Sequence, residues 1–323
     1  MKRSLAIILL SLITFVTVSR SPNKQVQIYD VTMTTTMTLP KGSRRYEAIQ
    51  VWHALPTRRP WSPGKTGVGA INLSFTPNDG KEDYNHEKDS YQVYWDLSKD
   101  LKPGKRLSFV SQFRVESESR RFDPSTAKAK WSDFTNKPKA VHPTINKIAD
   151  DIRKAHPPAE AILEFCRWIE RTLTYDASVT YDSENIEAIL KHRMGHCGHY
   201  ETIFEALCSR VGIPEREVFG LSLYAPDGRT GGLQHVRADF TNIHAWAEVE
   251  LPGAGWVEVE PAGGDQAFEI PAICIQNNRW FENYSVWFEE GGRWKYLDWR
   301  LVEGRWISPF QLEHIITYTV VKP

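Results

Sequence analysis

Arg193-Met-Gly-His-Cys-Gly-His-Tyr200 runs directly into Ile203, Phe204, Leu207, Cys208 and Val211, which recur at helical spacing. Apolar positions on one face predict a buried helix from Tyr200 to Val211. Gly212-Ile-Pro214 follows with a terminating glycine and a proline just beyond it. Cys197 therefore falls at or just before a helix N-terminus. The unpaired N–H groups and the dipole at such a terminus favour a thiolate over a thiol. Buried cysteine is also an ordinary small core residue, so the meaning of Cys197 depends on what the chain supplies downstream.

Downstream, Ile243-His-Ala-Trp-Ala-Glu-Val-Glu-Leu251 alternates throughout and reads as a strand opened by His244. Pro252-Gly-Ala-Gly255 has turn chemistry, Trp256-Val-Glu-Val-Glu260 alternates again, and Pro261 stops it. Pairing Glu250 with Ala254 sets Glu248 against Trp256 and His244 against Glu260, on one face. Ala245, Ala247, Val249, Val257 and Val259 then form the packed face, with Glu248 and Glu258 at a solvent margin. Cysteine, histidine and carboxylate in this order suit a Cys–His–acid site. The imidazole takes the thiol proton, and the acid fixes its tautomer. The candidate catalytic residues are Cys197, His244 and Glu260.

These stretches resemble the transglutaminase-like superfamily of papain-fold cysteine enzymes. The matching pieces are Met194-Gly-His-Cys197, Phe204-Glu-Ala-Leu207, Gly212-Ile-Pro-Glu-Arg216, His244-Ala-Trp246 and Gly255-Trp-Val-Glu-Val-Glu-Pro261, in family order over about a third of the chain, roughly residues 160 to 265. The resemblance implies an α+β, papain-like core, with the cysteine on a helix N-terminus and the histidine and acid on antiparallel strands. It also implies an acyl-enzyme formed on an amide. Water as acceptor makes a protease or amidase; an amine makes a transglutaminase. The family usually has Asp where Glu260 stands, and Glu carries one more methylene.

The 323 residues carry 40 basic and 40 acidic side chains, a formal net charge of zero, which gives no electrostatic case for nucleic acid or an anionic membrane. Lys2-Arg3 followed by an apolar run from Leu5 to Val18 reads as a signal peptide, residues 1–19, with Thr17 and Ser19 as the small residues before cleavage. Export to the periplasm, the cell surface or the medium follows. No later run approaches the ~18 apolar residues of a membrane span, so no stable membrane insertion is expected after cleavage. Export permits disulfides, but Cys166 and Cys208 lie in apolar helical stripes and read as core thiols, with Cys274 the remaining possible partner.

Residues 25–118 read as a small β-sandwich. Val31, Met33, Thr35, Met37 and Leu39 alternate, as do Tyr91, Val93, Trp95 and Leu97, between loops such as Pro60-Trp-Ser-Pro-Gly64. His53 and Trp61 there could face a ligand or simply pack. Residues 119–143, polar and proline-containing, read as a connector. The core, with a Trp-rich β-extension, occupies 144–323. Helices are predicted over 145–155 and 159–172, and a short helix or turn over 186–192. A Gly-rich loop from Ala225 to Val236 could cover the cleft, and one hairpin turns at Glu289-Glu-Gly-Gly292.

Competing assignments remain open. His192, His196, Cys197 and His199 crowd one loop and could bind zinc, although adjacent His196 and Cys197 chelate one ion poorly. His235 is an alternative base; Asp239 and Asp265 are alternative acids. No phosphate loop or dinucleotide fingerprint is present, so no cofactor is implied. The expected partner is a protein or peptide substrate. The alternative function is a catalytically silent relative that binds peptide or cell-surface polymer through the same cleft.

Overall fold

The computed structural model describes residues 26–321 apart from 39–40, 42–47, 59–66, 69, 86–89, 98–101, 177, 180, 223–233, 238–242, 271–273, 277–285, 291–292, 297–299, 303–304 and 308–310. Residues 1–19, Trp61 and Asp239, and most of the Gly-rich loop, lie outside the described residues.

Strict alternation builds the first layer. In Val26–Thr38 the odd-numbered Tyr29, Val31, Met33, Thr35 and Met37 are buried, and in Arg106–Glu118 so are Phe109, Phe113 and Val115. A period of two puts each set on one face. One five-stranded sheet runs Gln234–Arg237, Gln311–Val321, Val26–Thr38, Arg106–Glu118, Ala70–Thr76; the second runs Arg293–Tyr296, Val286–Glu290, Ala48–Leu55, Ser90–Asp96, Lys81–Asn85. Their inner faces meet where Trp95 packs on Phe109 at 5.3 Å between ring centroids. Each such fully buried large apolar side chain contributes about 1.5–3 kcal/mol. His53 crosses the same interior, its Nε2 2.7 Å from Thr35 Oγ1 and its Nδ1 2.8 Å from Ser111 Oγ. Both ring nitrogens are satisfied in a site closed to solvent, so His53 is a packing residue and not a ligand contact.

The C-terminal strands belong to these sheets. Gln311–Val321 pairs antiparallel with Val26–Thr38 over Ile28↔Val321 to Thr38↔Gln311, and Val286–Glu290 pairs with Ala48–Leu55. A division that assigns everything beyond residue 143 to one core thus cuts through hydrogen-bonded sheets. The expected hairpin is present, with Glu290 paired to Arg293. The end of the stretch expected as loop, through Val236, lies in a strand, Gln234–Arg237, against Gln311–Val321, with His235 opposite Thr317.

The helical layer comprises α1 (Pro143–Ala155), α2 (Pro158–Thr172), α3 (Ile186–His192) and α4 (Cys197–Val211). Ile162, Phe165, Cys166 and Ile169 of α2 and Ile203, Phe204, Leu207 and Cys208 of α4 form one core with Ala247, Val249, Val257 and Val259. Those valines and alanines come from a four-stranded antiparallel sheet ordered Gly255–Val259, Ile243–Leu251, Glu215–Ser222, Cys274–Gln276. Gly212 ends α4 at φ 81° while Ile213 N donates to Cys208 O at 3.0 Å. A side chain there would also collide with Asn136 O, 2.5 Å from its Cβ position. The stretch read as a connector is packed onto this core: Phe122 N donates to Phe268 O, Trp131 Nε1 to His156 O, and Arg120-Arg121 pairs with Glu269-Ile270. Cys166 and Cys208 are free, buried thiols.

Candidate active site

The position of Cys197 is set by how α4 begins. His196 is its N-cap in extended conformation, and its Nδ1 accepts from Gly198 N at 3.1 Å. His199 closes the reciprocal half of the box, its Nδ1 accepting from His196 N at 3.2 Å. Cys197 is thus the first residue of the helix, where its N–H has no intrahelical partner. Gly195 lets this turn pack tightly, because a Cβ there would stand 2.5 Å from that of His199.

The strand Ile243–Leu251 brings the imidazole. His244 is the second residue of that strand, at the end remote from the hairpin turn, and stacks on Trp246 at 5.7 Å between ring centroids. Its Nε2 is 2.5 Å from Glu260 Oε2. The other oxygen, Glu260 Oε1, accepts from Ala262 N at 3.2 Å, so the carboxylate is held at both ends. With Nε2 engaged, Nδ1 is the nitrogen left for the thiol. The structure therefore brings Cys197, His244 and Glu260 into one chain of contacts.

The hairpin register differs from expectation by two residues. Observed pairs are Leu251↔Gly255, Glu250↔Trp256, Glu248↔Glu258 and Ala247↔Val259. Pairing Glu250 with Ala254 would have taken Leu251 into the reversal, whereas Leu251 is fully buried and pairs with Gly255. The chain instead turns through Pro252-Gly253-Ala254, with Gly253 and Gly255 at φ 84° and 78°. A shift of two preserves parity, so His244 and Glu260 still share a face. Continued by one step, the register sets Glu260 opposite Trp246 and diagonal to His244. Diagonal neighbours lie about 7–8 Å apart, a gap that the longer Glu side chain helps to span.

The two carboxylates expected at a solvent margin are buried. Glu248 is 0% and Glu258 8% exposed. Arg216 Nε stands 2.6 Å from Glu248 Oε2, while Arg120 and Trp246 Nε1 both donate to Glu258. Both faces of the hairpin are covered: Val218 and Ile270 pack with Trp246 on the side opposite the valines.

Electrostatics favour an ion pair. Burial pushes the Cys197 thiol up, but hydrogen bonding to His196 and His244, the charge of His244 and the Ala245 N–H outweigh it and hold the thiol down at about 6. Burial pushes His244 down, but the Glu260 charge and contacts with Cys197 raise it well above its ordinary value. Imidazolium and thiolate stabilise each other near neutral pH. Cys166 and Cys208 lack such partners, and burial raises both well above the ordinary thiol value.

The other histidines and the described alternative acid have partners of their own. His199 is closed to solvent, and burial with the nearby His196 pushes it down to about 4, so it serves as a neutral cap. His192 packs on Tyr181 at 5.0 Å. Among the described residues no group of three or more His, Cys, Asp and Glu is arranged to hold a metal ion. Asp265 pairs with Arg167 at 2.6 Å and stands exposed. Sequence reasoning missed Tyr175. It lies in a two-residue parallel pair, Thr174-Tyr175 with Met194-Gly195, and reaches Cys197. So short a strand has no periodic signature.

Comparison with known proteins agrees with this geometry. The profile of the transglutaminase-like superfamily matches residues 146–261. The Bacillus subtilis (strain 168) protein YebA, described as uncharacterized, is 30% identical over 99 residues, 26% of this chain but only 13% of its own length. A crystal structure described as a "Putative Cysteine Protease" from Cytophaga hutchinsonii shares the fold with a TM-score of 0.56, at 12% identity over 93% of both chains. The periplasmic domain of TgpA from Pseudomonas aeruginosa reaches a TM-score of 0.34 at 16% identity, covering 71% of this chain and 91% of that one, too low to add to the fold assignment. Residues 146–261, with Cys197 at the helix start and His244 and Glu260 on the hairpin, carry the match to the transglutaminase-like superfamily.

Proposed function

We propose that this protein is an exported cysteine enzyme that forms an acyl-enzyme on an amide of a protein or peptide. The observation that carries the reading is the placement of Cys197 at the first residue of α4 beside His244, whose Nε2 is held by Glu260 at 2.5 Å, an arrangement that depresses the thiol against the pull of burial. The thiolate attacks the carbonyl carbon, a C–S bond forms, and the carbonyl π electrons move to oxygen. Collapse breaks the C–N bond, and His244 gives its proton to the leaving amine. Water or an amine then attacks the thioester; His244 accepts the proton and the thiolate is released. Glu260 holds the imidazole throughout, and the Cys197 N–H donates to the oxyanion. Export rests on Lys2-Arg3 and the apolar run from Leu5 to Val18. A role in binding alone gives no reason for a polarised thiol.

A peptide library incubated with the protein, with and without a primary amine, tests the reading. Shortened peptides in both arms identify a hydrolase, and amine-bearing products identify a transferase. Unchanged peptides in both arms would leave the binding-only reading.

A further inference from the structure

Cys197, Glu201 and Glu205 follow one another at four-residue steps and so line one face of α4, each step about 6 Å along the axis. The strand Glu215–Ser222 lies against that helix. Its Glu215 and Glu217 stand opposite Val249 and Ala247, which share a core with α4, whereas Val218 packs with Trp246 on the other side. A period of two therefore turns both glutamates toward the helix. Four carboxyl groups thus meet in a seam that starts beside the nucleophile. Glu201 is 4% exposed at its floor, and Glu205 and Glu217 are exposed at its rim.

The seam lacks a cation. Glu201 Oε1 and Glu215 Oε1 are closed to solvent without a hydrogen-bond partner, and among the described residues no cation pairs with any of the four carboxyl groups. Other buried carboxylates of this fold are compensated: Glu248 has Arg216, and Glu258 has Arg120. Arg216, between Glu215 and Glu217 in sequence, is turned to the opposite face, where it also lies over the Trp256 ring at 4.1 Å. An orphaned buried acceptor costs about 1–3 kcal/mol. Without a counter-ion the charge is held down by protons, since burial and the neighbouring carboxyl groups raise Glu201 to about 10 and Glu215 to about 8. We propose that this seam is a substrate subsite for a primary ammonium, borne by the side chain of a lysine or other diamino acid whose carbonyl Cys197 attacks. The proposal rests on the acyl-transfer reading above. An ammonium brings three donors, enough for the two orphaned oxygens and the rim carboxylate of Glu217. The flexible four-carbon stem of lysine suits the single helical turn between Cys197 and Glu201. A metal ion suits the seam less well, because among the described residues no group of three or more ligands is arranged to hold one.

The test compares acylation of Cys197 by the p-nitrophenyl esters of Nα-acetyl-lysine and Nα-acetyl-norleucine, which share a carbon skeleton and differ by the ammonium. It is run on wild type, Glu201→Gln and Glu217→Gln, with a melting curve for each. The ratio of the two rates within one protein cancels any change in the thiolate. The expected wild-type ratio is about 10–10²-fold in favour of lysine, as for charge-assisted hydrogen bonds, and it falls toward one in both variants. The rim variant decides should Glu201→Gln fail to fold. A wild-type ratio near one, or a lysine preference undiminished in either folded variant, would overturn the proposal and leave the acyl-transfer reading standing. A preference shown only by the resolving amine, 1,5-diaminopentane over pentylamine, would put the ammonium on the acceptor and overturn it as well. Wild type that iodoacetamide alkylates but neither ester acylates would overturn the acyl-transfer reading itself, and this inference with it.

Discussion

Glu260 holds His244 from one diagonal step away across the hairpin, Oε2 to Nε2 at 2.5 Å, while its other oxygen takes the Ala262 N–H at 3.2 Å. Contact across a diagonal depends on side-chain length. Glu260→Asp should fall short by about one C–C bond and lower kcat/KM, and Glu260→Ala should lower it by roughly 10²-fold or more. Steady-state kinetics of both variants against wild type checks this. Equal turnover by Glu260→Ala would remove the carboxylate from the mechanism.

The pH dependence of thiol reactivity follows from the depressed thiol of Cys197. The thiolate is the reacting form, and its fraction rises with pH. The iodoacetamide rate of Cys197 should therefore climb through about pH 6 and be nearly level at pH 8. Removing the imidazole in His244→Ala should move that rise toward the ~8.5 of a free cysteine. A wild-type profile rising only above pH 8 would contradict the ion pair.

Much of this site was legible in the sequence, for reasons that set its limits. The helix α4 shows in the stripe Ile203, Phe204, Leu207, Cys208 and in Gly212 because both signals are local. His244 and Glu260 could be placed on one face because parity survives the two-residue register shift; the register itself depends on turn geometry that the letters Pro-Gly-Ala-Gly do not state. Glu248 and Glu258 looked solvated because their cations, Arg216 and Arg120, are remote along the chain. The pairing of Gln311–Val321 with Val26–Thr38 joins strands remote along the chain and leaves no local trace.

A buried acid pair lies one turn beyond Cys197. Glu201 on α4 and Glu215 on the neighbouring strand contact each other. Burial first, then mutual repulsion and their shared contact, raises Glu201 to about 10; burial and nearby carboxylates raise Glu215 to about 8. A carboxyl raised on folding contributes stability that is fully present below its unfolded value, about 4.3, and lost as pH rises through the folded value. Glu201→Gln, which stays neutral, should therefore gain in melting temperature over wild type from pH 5 to 9. A gain that does not grow with pH would exclude a protonated Glu201.

Cys208 and Cys197 separate packing from chemistry. Cys208→Ala leaves a small cavity among Ile203, Phe204 and Leu207 and should cost about 1–2 kcal/mol in denaturant unfolding with turnover retained. Cys197→Ala, at the edge of the core, should unfold close to wild type and lose turnover.

The most direct measurement is intact-protein mass spectrometry followed by peptide mapping after a brief exposure to an activated acyl ester at pH 7. The account predicts one acyl group per chain, carried as a thioester on Cys197, absent from Cys197→Ala and released by water or a primary amine. An acyl group on any other residue, or a folded protein with a reactive Cys197 and no adduct, would contradict it.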